Sequence, residues 1–299
     1  MSVSTFWERM TALSLRHHGV TTQLLTFEPY QMSVFILKGK QVSPAKKRIV
    51  CVHGLGSSAA AYGSLLPYLQ THWSEILAPS APNHGMSPPL PKDDKANTAQ
   101  DRFQSRIYQA WEKCLLDLSK ERPIDLLGVS LGGAVAIRFA SKFPHRVSSL
   151  MLCSPAGAVL DEADIDHLKK VFTMDHWQDG FRFLQTLYDR VPWWGSLLAP
   201  LVRLNLRRPD TQAVIEQLVP GDGLKPDELS NLSMPLLLIW GKRERILPSS
   251  SLSKLLEYFP KDLTLLQPEH FSHTPQKEYP ADLAEYLIRF QEQIEQVSH

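Results

Sequence analysis

The chain has 299 residues, 43% of them hydrophobic and 21% charged, and a formal net charge of +1. That is enough apolar material for one large α/β domain with an inserted piece, or for two ordinary domains. So small a net charge excludes a global field drawing the chain to nucleic acid or to an anionic membrane, although it leaves local basic clusters open.

Cys51, Cys114 and Cys153 sit in apolar stretches without CxxC or metal spacing, so they read as reduced core residues of a cytoplasmic protein. At the N-terminus, Glu8, Arg9, Arg16, His17 and His18 interrupt Phe6, Trp7, Met10 and Leu13, which rules out the continuous apolar core of a signal peptide. No other segment approaches the length of a membrane span, and the expectation is a soluble protein.

Residues 4–16 are expected to form a short amphipathic helix packing through Phe6, Trp7, Met10 and Leu13. The runs 21–27 and 32–37, separated by Glu28-Pro29-Tyr30-Gln31, predict an antiparallel hairpin at a sheet edge. Next comes the apolar strand Ile49-Val50-Cys51-Val52, ending in His53-Gly54-Leu55-Gly56-Ser57-Ser58. A glycine-rich bend there leaves backbone N–H groups able to approach a ligand. His53 is expected to lock this bend by hydrogen bonding rather than to act as a base.

A helix is predicted over 62–69, a strand at 76–78, a tight turn at 81–87, a surface loop at 88–94 and a helix over 102–118 with the stripe Phe103, Ile107, Trp111, Leu115 and Leu118. The central feature follows. A short apolar strand through Leu126 and Leu127 ends in Gly128-Val129-Ser130-Leu131-Gly132-Gly133 and turns directly into a helix that Pro144 stops. A serine between strand and helix, with glycine two before and two after, is the nucleophile-elbow pattern. The turn exposes Ser130 and points amides of the first helical turn at the space beside its hydroxyl, so the N–H groups of Leu55 and Leu131 are the candidate oxyanion donors.

Strand and helix alternate from residue 49 to 153, which predicts a parallel sheet with right-handed crossovers and a ligand edge at the strands' carboxyl ends. Residues 160–225 break that rhythm with helical, aromatic-rich sequence and are expected to form a cap over the site, inserted in a core made of 1–159 and 226–299. Trp177, Trp193 and Trp194 are its candidate substrate-binding residues, suggesting an apolar acyl or alkyl pocket. Arg182, Arg190, Arg203, Arg207 and Arg208 could receive an acidic carrier protein or form a solvated face. The core resumes with a strand at 235–240, the loop Gly241-Lys242-Arg243-Glu244, a helix at 251–259, a strand at 263–266, the loop 267–275 and a final amphipathic helix from 281 to 297.

HGLG, PNHGMS, GVSLGG, GKRERILP and HTPQKEYPADLAEYL, in this order, resemble the α/β-hydrolase superfamily, over nearly the whole chain from residue 49. The resemblance implies a mostly parallel, doubly wound, eight-stranded sheet with a helical cap. It implies Ser130 as nucleophile, Glu244 as acid and His273 as base, with no metal or organic cofactor. Glu244 stands where the family more often has aspartate; Asp161 and Asp164 are fallback acids, and His270 is the alternative base. The implied reaction is hydrolysis of a small-molecule carboxylic ester or thioester through an acyl-enzyme. Alternatives are a carbon–carbon bond hydrolase, an esterase of acyl-carrier-protein conjugates, and a receptor without turnover.

Overall fold

The computed structural model describes residues 2–40, 47–91, 103–191 and 195–297. The N-terminal half runs α1 (Val3–Ser14), β1 (Thr21–Phe27), β2 (Tyr30–Lys38), β3 (Arg48–Val52), α2 (Leu66–Leu69), β4 (Glu75–Pro79), α3 (Phe103–Leu118), β5 (Ile124–Val129), α4 (Leu131–Lys142) and β6 (Val147–Cys153). Helices then follow one another: α5 (Glu162–Phe172), α6 (Asp179–Leu187), α7 (Gly195–Leu206), α8 (Pro209–Glu216) and α9 (Pro226–Ser230). The chain closes with β7 (Leu236–Ile239), α10 (Ser251–Tyr258), β8 (Thr264–Leu266), α11 (Pro275–Glu278) and α12 (Pro280–Val297).

The eight strands form one sheet in the order β1-β2-β4-β3-β5-β6-β7-β8. β1 pairs antiparallel with β2 and β2 with β4, as the edge hairpin predicts, and every other pairing is parallel. Alternate residues of the central strands enter separate cores, as the two-residue period requires. Val50, Val52 and Leu126 join Trp111 of α3, Ile137 of α4 and Leu255 of α10 on one face. Ile49, Cys51 and Leu127 join Leu69 of α2 and Leu287 of α12 on the other. The three cysteines are buried and free.

Two expectations are corrected. The predicted helix over 62–69 divides into a 3₁₀ turn at Ala59–Tyr62 and the four-residue α2. More consequential, α1 faces the opposite way: Phe6, Trp7, Met10 and Leu13 are exposed, while Ser4, Glu8 and Leu15 face inward.

The reason is a polar anchor that apolar periodicity does not register. Glu8 is fully buried; its Oε2 accepts from the Ser80 hydroxyl at 2.6 Å, and its Oε1 from the Ser33 hydroxyl at 3.0 Å and the Met86 amide at 3.2 Å. Burial pushes its pKa up, against the opposing pull of those donors. Glycine at 85 makes room, since a Cβ there would collide with the Glu8 carboxylate. Replacing Glu8 by alanine leaves two hydroxyls and an amide without their acceptor, so Glu8→Ala is expected to lower stability by about 1–3 kcal/mol in urea unfolding. An unchanged midpoint would contradict the anchoring role.

Candidate active site

β3 and β5 are adjacent in the sheet although β4 intervenes in sequence, so the order reverses beside them and their carboxyl ends open a crevice. Their register pairs Val52 with Gly128, which brings the bend after β3 against the turn after β5. A Cβ on Gly54 would lie 3.0 Å from the Ser130 Cβ.

Ser130 has φ 57° and ψ −125°, a conformation that a residue with a side chain rarely adopts. Its backbone is held from both sides: its N–H donates to Cys153 O at 3.2 Å, and its carbonyl accepts from Gly133 N at 2.8 Å and Ala156 N at 2.9 Å. Glycine is required around it. A Cβ at 128 would lie 2.6 Å from Gly132 O, and one at 132 would strike Val52 O on the neighbouring strand. Leu131 opens α4, whose first amides have no intrahelical acceptor, and Leu55 follows Gly54 in the facing bend.

The acid and the histidine arrive from the loops after β7 and β8. His273 Nδ1 lies 2.7 Å from Glu244 Oε2, with both side chains almost fully buried. The longer arm of glutamate curls back over its own loop, so that Oε1 accepts from Ile246 N at 2.8 Å and Leu247 N at 3.1 Å. The Ser154 hydroxyl is a further donor. Burial alone would raise the Glu244 pKa, but the His273 charge and hydrogen bond, with the Ser154 and Leu247 donors, outweigh it and hold the carboxyl below its usual range.

The fallback acids, the alternative base and the other buried carboxylate and histidine near the sheet are engaged elsewhere. His270 meets Asp282 at 2.8 Å on an exposed rim. Asp161 and Asp164 form a capping box at the start of α5 and pair with Lys254. Asp125, at the opposite end of β5, accepts from Trp73 Nε1 and Ser149 Oγ, both at 2.8 Å. His53 takes Ala81 N–H on Nε2 at 3.0 Å; its proton therefore sits on Nδ1, which donates to Gly54 O at 2.9 Å. Burial first, then the neighbouring His84, pushes its pKa down to about 3, and the neutral ring locks the bend as expected.

Ser130, His273 and Leu55 line a cavity of about 670 Å³. From the insertion spanning α5 to α7 the lining takes Phe172, Phe183, Leu187, Leu198 and Val202, with Arg190 and Asn205 among the polar members. α1 supplies another wall with Val3, Trp7 and Thr11, so Trp7, expected only to pack, also faces the cavity. Trp177 is 70% exposed and is not among the lining residues, so its placement as a substrate contact is corrected. Trp193 and Trp194 lie outside the described residues. Asn205 of α7 donates from Nδ2 to Gly56 O at 2.6 Å, tying the helical insertion to the bend that carries Leu55. Neither this tie nor the Ser154 donor carries a sequence signal, because each is defined only by the folded approach of distant segments.

Strained serine elbow, facing glycine bend and buried glutamate–histidine pair belong together in one known architecture. A sequence model of the alpha/beta hydrolase fold matches residues 47–222, and the chain belongs to that family. A pimeloyl-(acyl-carrier protein) methyl ester esterase of Neisseria meningitidis serogroup B (strain H44/76) is 25% identical over 246 residues, spanning 79% of this chain and 89% of the relative. Two solved structures share the fold. The naproxen esterase (carboxylesterase NP) of Bacillus subtilis has a TM-score of 0.68 at 19% identity, covering 96% of this chain and 97% of that one. The 2-hydroxy-6-oxo-6-phenylhexa-2,4-dienoate hydrolase of Rhodococcus sp. strain RHA1 has a TM-score of 0.75 at 17% identity, covering 91% and 99%.

The Glu244 pKa is lowered in the fold, so its contribution to stability is present above the ordinary carboxylate pKa and is lost as pH falls through the depressed value. The melting temperature of the wild type should therefore exceed that of Glu244→Gln most at neutral pH, with the gap closing as the solution is acidified. A gap independent of pH would contradict the pairing.

Proposed function

We propose that the chain is a serine hydrolase that cleaves a carboxylic ester or thioester bearing an apolar acyl or alkyl group. The observation that carries this reading is the convergence on one cavity of Ser130, half-buried and held in a positive-φ turn, and His273, oriented through Nδ1 by buried Glu244. With Nδ1 given to the glutamate, Nε2 is the nitrogen left to take the Ser130 proton as the hydroxyl attacks the carbonyl carbon. The Leu55 and Leu131 amides receive the oxyanion, and Glu244 stabilises the imidazolium. Protonated His273 gives its proton to the leaving alcohol or thiol. Water, deprotonated by the same ring, then attacks the acyl-Ser130 ester, releasing the acid and regenerating the serine.

The apolar wall beneath α6 and α7 suits an alkyl or acyl chain, and the helices from α5 to α8 serve as the cap. A substrate still attached to an acyl-carrier protein is the second reading. It is favoured by the Neisseria relative's activity and by Arg190, which lines the cavity with its side chain 90% exposed.

The test is steady-state hydrolysis of p-nitrophenyl esters of increasing chain length. Ser130→Ala and His273→Ala should each lower kcat by on the order of 10³-fold or more, while wild-type kcat/KM rises from acetate to medium chains as the apolar wall fills. Turnover that survives both substitutions would overturn the assignment.

A further inference from the structure

α1 is an inside-out amphipathic helix. Its one carboxylate, Glu8, is buried and bonded, whereas its large apolar side chains Phe6 (42% exposed), Trp7 (39%), Met10 (46%) and Leu13 (49%) are open to solvent. Phe6, Met10 and Leu13 follow the i, i+4, i+7 spacing and so form one stripe. In this helix and the turn that follows it, Arg9 and Arg16 are exposed and no exposed carboxylate accompanies them. A packing helix is expected to hide its apolar face, and this one shows it because Glu8 fixes the rotation.

The same helix, through Val3, Trp7 and Thr11, lines the proposed reaction cavity. Trp7 is both half-exposed and a lining residue, and α7, in contact with α1, lines the same cavity and exposes Leu197 (71%) and Leu204 (56%). Aromatic and aliphatic side chains flanked by arginines, with the carboxylate withdrawn, complement a surface that is apolar beneath and negative on top. We infer that α1, with the outer face of α7, seats on an anionic phospholipid surface and places the cavity where an apolar ester passes from lipid to protein. This is peripheral binding: among the described residues, no helix is long and apolar enough to cross a membrane.

The experiment is flotation of the full chain with vesicles of phosphatidylcholine alone and of phosphatidylcholine with one quarter phosphatidylglycerol. It compares the wild type with the triple variant Phe6→Ser, Met10→Ser, Leu13→Ser, and monitors tryptophan emission in parallel. The expected result is wild-type binding to anionic vesicles, with blue-shifted emission, at least tenfold tighter than to neutral ones and weakened by salt. The triple variant, matched to wild type in circular dichroism and in hydrolysis of a soluble short-chain ester, should bind at least tenfold more weakly. Lack of vesicle binding by the wild type, equal binding by the variant, or a concentration-dependent wild-type dimer that the variant abolishes would overturn the inference; the dimer would assign the face to a second copy of the chain. Binding is read without turnover, so failure of the hydrolase reading remains distinguishable from failure of this one.

Discussion

The backbone of Ser130 is the constraint on which the rest of the site depends. A non-glycine residue at φ 57° costs on the order of 1–3 kcal/mol and persists only where its surroundings leave no alternative. Here the surroundings are the central strand of the sheet, a helix starting at the next residue, and hydrogen bonds to Cys153, Gly133 and Ala156. Those bonds couple the serine to both β6 and α4. The same crowding demands glycine at 128 and 132 and fixes the approach of the bend at Gly54. One strained residue thereby sets where the hydroxyl stands and where the facing amides lie.

Around that point the protein adds parts from increasing sequence distance. Glu244 and His273 come from loops after β7 and β8, and Ser154 supports the glutamate from the end of β6. Asn205 joins α7 to the Gly56 carbonyl, so the helical insertion is tied directly to the bend that carries Leu55. α1 completes the cavity wall and is itself held by Glu8 against residues 33, 80 and 86. A buried carboxylate thus determines which face of the first helix meets solvent.

The sheet was legible because parallel strands buried on both sides read as short apolar runs such as 49–52 and 126–129, punctuated by glycine or proline. Ser130, Glu244 and His273 could be singled out as candidates because each follows a strand, Ser130 immediately and the other two in the loops after β7 and β8, inside a motif of fixed spacing. The choice of His273 over His270 rested on that spacing, and the structure sets His270 on the rim beside Asp282. The orientation of α1 was not legible. Its apolar face was assigned to packing, whereas three donors from β2 and the turn after β4 dictate the opposite rotation. Trp177 illustrates the same limit, since aromatic content marks an apolar insertion without saying which rings face the cavity and which face water.

The most direct measurement is intact-mass and peptide mapping after reaction with a fluorophosphonate, which reports a serine activated by its neighbours rather than merely exposed. The account predicts one adduct per chain, on Ser130, absent in Ser130→Ala and strongly slowed in His273→Ala. An adduct on another serine, or a folded protein that takes up none, would contradict it.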